Sequence, residues 1–527
     1  LVKQVTAGIL DTTTGRVNGL TVKPTDKTVQ TFTYDPQRNP ESRTQEMDGV
    51  GPDRKTSYVY DLLDRLVTLT EPAAEHVDKL GVLNTQSETP ITKYTYDRVG
   101  RLTMTVDPLT RVTETKYDDA LRTETLLLPA APQVVGTSPN LTTVTQRPTT
   151  ITLRDANGNV VSLTDANTNK TTFQYDGRNQ LETKTLPSIS ALGESVFTYT
   201  YDTAGNVASE TRPATNIALG TPDRKTTLRY DALHRLTVET RPAPGGVSTH
   251  PVPKTVLTYD DAGNKASMTD AEQRLTTYAY DAANRLVTIT APAVDKGGPA
   301  TVTKYDYDLS DNLTKVQDAK NGDDDVVSVY DPLNRKVRDT FVAVQHFNVD
   351  DPEASPITAA AWIAYAYNDA GELTATTDRL GRTTKRDYDA LGRLTKVTQP
   401  APVDGSADPT TVMQYDAVGN LRLVYDPLQS PSLQSQSPST LSRTEYEYDA
   451  LDRRTVVRSA APGGTGGTVR PEVTTGYDAV GNVRTVTDPR GNVTRTDYNA
   501  QNLPTLVMQP DPGPGPAAGH LVGDGQS

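Results

Sequence analysis

The sequence predicts an all-β fold: one long antiparallel sheet of hairpins that has to coil. Three observations predict it. A seven-residue phrase returns along the chain, as YDALGRL (388–394), YDAVGNL (415–421), YDAANRL (280–286) and YDAVGNV (477–483). The segments flanking each copy alternate and favour Thr, Val, Tyr and Leu, which suits half-buried strands. The aromatic residues are mostly tyrosine, 25 of them against 5 Phe and 1 Trp (Trp362), in a chain only 35% hydrophobic. That composition fits thin sheets with a modest apolar face, not a thick core.

The phrase is read position by position. Seventeen copies start at Tyr34, Tyr60, Tyr96, Tyr117, Tyr175, Tyr201, Tyr230, Tyr259, Tyr280, Tyr307, Tyr330, Tyr367, Tyr388, Tyr415, Tyr448, Tyr477 and Tyr498. An eighteenth, LRDANGNV (153–160), reads as a shifted copy with Leu153 in the tyrosine slot. Asp follows the tyrosine in fifteen of the seventeen, and Asn in the other two (Asn368, Asn499). Three residues after that comes Gly, Asn, Asp or His, and only Arg38 and Leu121 depart from this. Those four residue types best tolerate positive φ. The slot is therefore a left-handed position and the phrase a turn, which Asp opens by accepting hydrogen bonds from nearby amides. With TKYTY (92–96) before it and RLTMTV (101–106) after it, the phrase is a hairpin tip, a type I turn closed by a left-handed residue.

A second turn follows each tip. Eleven residues after the tyrosine comes Asp at 107, 270, 318, 378, 426 and 488; elsewhere Pro comes at the twelfth, as in Pro72 and Pro242. Each repeat is then two strands and two turns, 21 residues at its shortest, with inserts such as 242–253 and 427–440 at the second turn. Copies also pair, with most first members reading GN or DN and most second members RL or RK after the turn. Eighteen repeats make about 36 strands and a sheet on the order of 170 Å wide, too wide to stay flat. The array runs over 1–507, with 1–33 a degenerate first repeat containing ILDTTTGRV (9–17), and 508–527 is a Pro/Gly-rich flexible tail.

The phrases YDRVGRL (96–102), YDALGRL and YDAVGNL resemble the RHS/YD-repeat family over roughly residues 9–507. The resemblance implies a spiralling β-sheet that forms a hollow shell (cocoon) or an open β-solenoid. It implies a bacterial shell around a C-terminal toxin, as in insecticidal toxin complexes, or a teneurin-like adhesion receptor. Shells of that kind often end in a self-cleaving core with paired DPxG motifs. Here DPRG (488–491) stands alone at an ordinary second turn, so neither self-cleavage nor toxicity carries over.

The rest of the sequence excludes more than it offers. The chain has 527 residues and a formal net charge of −13, which argues against a nucleic-acid partner. It has no cysteine, so no disulfide and no thiolate metal site. No apolar run reaches a membrane span; LLLPAAPQVV (126–135) and AAAWIAYAY (359–367) are too short. No signal peptide is visible and the chain starts at Leu1, as a processed product or a fragment would. His76, His234, His250, His346 and His520 form no metal pair, and His234 sits in the left-handed slot as a turn residue. NGDDD (321–325) lacks the spacing of a calcium loop and reads as a solvated acidic loop. GGTGG (463–467) lacks a following Lys and reads as a flexible insert, and no GxSxG elbow is present. The fifteen equivalent aspartates are turn-formers, because catalysis needs one preorganised site. We therefore expect no catalytic, cofactor or metal residues and no cofactor. The expected role is a non-enzymatic shell, secreted or at the cell surface, that encloses a cargo polypeptide next to toxin or cap domains. The alternatives are an extracellular adhesion module with a surface ligand, or a self-associating subunit of a filament or sheath.

Overall fold

The computed structural model describes residues 2–7, 16–17, 20–21, 27–47, 52–77, 83–189, 195–213, 224–243, 252–293, 298–317, 326–341, 344–346, 357–359, 361–402, 406–425, 443–461 and 470–510. These form strands joined by turns, and among them no helix is long and apolar enough to cross a membrane. The NGDDD and GGTGG segments, most of ILDTTTGRV, the inserts around 244–251 and 427–440, and residues 511–527 lie outside the described residues.

One sheet holds 37 strands. The eighteen hairpins supply two strands each, and Val2–Ala7 adds one at the edge, paired antiparallel with Lys27–Tyr34. Hairpin follows hairpin in chain order, every pairing antiparallel. The sheet is open: among the described residues Val2–Ala7 and Pro504–Met508 each bond a neighbour on one side only. Among the described residues four short hairpins leave the sheet at second turns; one pairs Ala74–Val77 with Leu83–Glu88, and another pairs Ala131–Thr137 with Asn140–Gln146. LLLPAAPQVV therefore crosses from the sheet strand Thr123–Leu127 into the second of these hairpins.

The tips obey the turn chemistry. At 308–312 the Asp311 amide donates to the Asp308 carbonyl, and the Asp308 amide to the Asn312 carbonyl. The register slips by one residue just before the tyrosine, as at Asp306/Tyr307, which is the bulge that a left-handed closing residue creates. The slot is left-handed as expected, from Asp64 (φ 58°) to Gly481 (φ 102°). Three sequence expectations need correction. Arg38 does not break the pattern: it adopts φ 75° despite its side chain. At Leu121 the turn takes one more residue, so that Arg122 holds the left-handed position (φ 53°) and Asp118 pairs Thr123 without a bulge. In the eighteenth copy Arg154, not Leu153, stands in the tyrosine slot, with Asp155 and Gly158 in their ordinary places.

The sheet coils upon itself. Contacts between its two rims join residues 306 to 341 apart in sequence. Counted along the sheet, the partners lie about 23 to 25 strands apart, or ~110–120 Å of wall, which closes a coil about 35–38 Å across at the backbone. The wall is thin. Among the described residues the fully buried apolar side chains are few and small, and Ala74, Ala131 and Val134 belong to the hairpins that leave the sheet.

Candidate functional site

The polar chemistry gathers on two rims, the tips on one and the second turns on the other. Each tip is a closed hydrogen-bond unit. Asp61 Oδ1 accepts from the Leu63 and Arg65 amides, and its Oδ2 accepts from Arg65 Nε at 2.8 Å. Where Asn replaces the Arg, its side-chain amide fills that place, as Asn159 does on Asp155 at 2.9 Å. The Arg65 hydrogen bond holds the Asp61 carboxyl below the usual carboxylate range, and the Asn159 side-chain hydrogen bond does the same for Asp155. These carboxylates are spent on the turn. Among the described residues five short second turns use the same device, with left-handed Thr110, Thr168, Gln273, Gly381 and Gly491. DPRG is one of them, and Asp488 accepts from the Arg490 and Asn492 amides.

Two links run from tip to tip, and they explain the paired repeats. In seven pairs the first member's Asn meets the second member's left-handed side chain: Asn264 Nδ2 donates to Asn284 at 3.0 Å, Asn420 to Asp452 at 2.6 Å, and His234 Nδ1 lies 2.9 Å from Asn206 Oδ1. The other such contacts are Asn39–Asp64, Asn159–Asn179, Asn312–Asn334 and Asn482–Asn502. His234 is thus a turn and linker residue. The second member's Arg makes the next link. Arg393 Nη1 donates to the Asp416 carbonyl at 2.9 Å while its guanidinium lies 4.9 Å from the Tyr415 ring centroid. Six such Arg–Tyr stacks span 4.5–5.0 Å, and a first member's Arg101 makes a seventh on Tyr117 at 4.2 Å. The repeated tyrosine has its own partner: in fourteen repeats its hydroxyl donates to a carbonyl just past the preceding tip, at 2.8–3.2 Å. The Arg after the turn was visible in the sequence as RL or RK, but its role depends on the neighbouring hairpin.

The seam is where the tip rim of the later coil meets the second-turn rim of the earlier one. Arg54 forms a bidentate pair with Glu372 at 2.6 and 2.9 Å. Arg111, already bound to Asp107, reaches Asp452 at 2.8 Å. Asn167 donates to Asp478 at 3.0 Å, and Gln501 to the Pro187 carbonyl at 2.8 Å. The two hairpins strap the seam: Arg393 donates to the Glu75 carbonyl, Arg453 to the Pro132 carbonyl, and Arg484 to the Gly136 carbonyl. His76, on the first strap, lies 3.5 Å from Glu88. Gly476 lets the second strap close: a Cβ there would stand 2.6 Å from Val134 Cγ2 and 2.4 Å from Thr485 Oγ1. Among the described residues no cluster of three or more His, Asp or Glu could hold a metal ion.

The RHS repeat model matches at residues 154–188, 259–293, 367–402 and 477–510. Double-stranded DNA deaminase toxin A of Burkholderia cenocepacia (strain H111) is 27% identical over 155 residues, 25% of this chain and 10% of that protein. Among solved structures, TcdB2-TccC3-Cdc42 aligns at 14% identity and TM-score 0.28 over 92% of this chain and 31% of its own. The Photorhabdus luminescens Tc holotoxin pore aligns at 14% identity and TM-score 0.26, over 92% and 30%. The chain thus spans about a third of those structures and a tenth of the deaminase toxin. Seventeen tips share one construction, and the RHS repeat is matched at four places along the chain, each of them spanning such tips.

Proposed function

We propose that this chain is a non-enzymatic wall that encloses a cargo polypeptide within a secreted bacterial toxin system. The carrying observation is the seam: an open antiparallel sheet closes round on itself, and polar rims lock its successive coils together. A wall of this kind surrounds a lumen without needing a packed core, in keeping with so few buried apolar side chains. The abundant carboxylates are occupied by turn amides and turn guanidinium groups, which suits structural duty more than catalysis. The likeness to a bacterial toxin supports the setting, and cargo, secretion and neighbouring cap or toxin domains belong to the proposal. The test is electron microscopy of the purified protein, together with protease challenge of a flexible reporter fused after Ser527. Hollow coils that shield part of the reporter support the reading. Collapsed particles without a lumen, or a reporter cleaved as fast as when free, overturn it.

A further inference from the structure

The two faces of the wall differ. Residues in register across a ladder share a face, and neighbours along a strand do not. One face carries Tyr94, Tyr199, Tyr278 and Tyr305. The other carries Lys93, Lys170, Lys225, Lys254, Lys304 and Lys385, all exposed. Among the described residues none of these six forms an ion pair. Between Lys93 and Lys385 the described carboxylates in register on that face are Glu114, Asp118 and Asp306, and each is engaged already. Glu114 pairs with Arg147 at 3.0 Å, Asp118 accepts from the Leu121 amide at 2.9 Å, and Asp306 stands across from Lys315. The chain has a net charge of −13, and a merely solvated face would mix both signs. Further along, the same face shows what it takes. There its bases are matched within the chain, Arg458 with Glu472 at 2.6 Å and Arg484 with Asp497 at 2.8 Å. There, too, an extended segment lies on it: Val134 of the second strap seats over Gly476, and the Ser138 amide donates to Asp497 at 3.1 Å.

We infer that the lysine face between Lys93 and Lys385 binds an extended acidic polypeptide, seated on the wall as the strap is, with its carboxylates on the six ammonium groups. The row runs over about 22 strand spacings, or ~106 Å, which is nearly one coil. Successive lysines stand ~10–30 Å apart along it, and an extended chain covers that distance in roughly three to nine residues. A flexible chain can follow a coil about 35–38 Å across. A flat anionic surface would meet only a few of its strands, so the face fits a polypeptide and not a membrane. This goes beyond the enclosing wall, and it is independent of which side of the wall the face looks to.

The test is fluorescence anisotropy of a labelled polyglutamate of ~30 residues, long enough to follow the row, titrated with the purified chain at low salt. Saturable binding is expected, and none for an uncharged Gly/Ser peptide of equal length. Lys93→Gln, Lys170→Gln, Lys304→Gln and Lys385→Gln together should weaken it about tenfold or more. Arginine at the same four positions should restore it, and Lys184→Gln, on the tyrosine face, should leave it unchanged. Far-ultraviolet circular dichroism checks that each variant is folded. No binding, equal binding by the fourfold glutamine variant, or tighter binding of single-stranded DNA or of phosphatidylglycerol vesicles than of polyglutamate would each overturn the proposal.

Discussion

At the residue scale, each tip and each short second turn depends on one left-handed position and one carboxylate. Gly381 has φ 78° and nothing within 4 Å of the place a Cβ would occupy, so substitution there changes backbone energy alone. Gly381→Ala should cost about 1 kcal/mol locally and Gly381→Asn about half that. Hydrogen exchange of the 378–382 amides reads this, and equal protection in all three proteins would contradict it. The carboxylates set the acid limit. Asp61, Asp155 and Asp488 sit below the ordinary carboxylate value, each chiefly because a side chain four residues on hydrogen-bonds to it. Their contribution is complete above the unfolded value of about 4 and is lost as pH falls through the depressed folded values. Tyrosines set the alkaline limit. Burial raises Tyr60, Tyr94 and Tyr230, and burial with the Asp339 hydrogen bond pushes Tyr365 up to about 12. Their contribution is full below about pH 10 and lost as pH rises through the raised folded values. Urea midpoints should therefore hold between pH 5 and 9 and fall on both sides; a midpoint unchanged from pH 5 to 2.5 would refute the acid arm.

At the element scale, the hairpin is autonomous in construction but not in stability, since its Arg, Tyr and Asn side chains reach into the next hairpin. The straps differ from the repeats. The Ala131–Thr137 strand buries Ala131 and Gln133 completely, and the Gln133 side-chain amide donates to the Gln146 carbonyl at 3.1 Å. Its fit over Gly476 leaves no room for a methyl group. Gly476→Ala should cost about 1–3 kcal/mol through overpacking and loosen this strap. Faster proteolysis within 131–146 is the expected readout, and an unchanged cleavage rate would show that the strap does not rest there. Nothing in APQVVGTSPNLTTVTQ announced a strap, because its partners lie more than 300 residues away.

At the scale of the whole molecule, stability along the sheet is a sum of neighbour terms, as in other repeat arrays. The seam adds contacts of very long range. Arg54 and Glu372, with side chains 14% and 15% exposed, form its best-shielded ion pair with bidentate geometry. A double-mutant cycle with Arg54→Ala and Glu372→Ala should give a coupling of roughly 1–3 kcal/mol. A coupling near zero would mean that the coils do not rest on each other at this point in solution.

By itself the sequence determined the hairpins, their order, the left-handed slot and the antiparallel pairing. These are legible because each repeat's ladder and turn bonds fall within itself and its neighbours, and because φ > 0 admits few residue types. Even the alternation of GN and RL was visible, though its cause lay in side chains that touch across hairpins. Only the tertiary structure decided the curvature, the meeting of the two rims and the straps. Curvature accumulates from small strand-to-strand twists, and inserts of varied length at the second turns break any fixed period. No sequence spacing therefore records that Arg54 will face Glu372, or Arg111 Asp452.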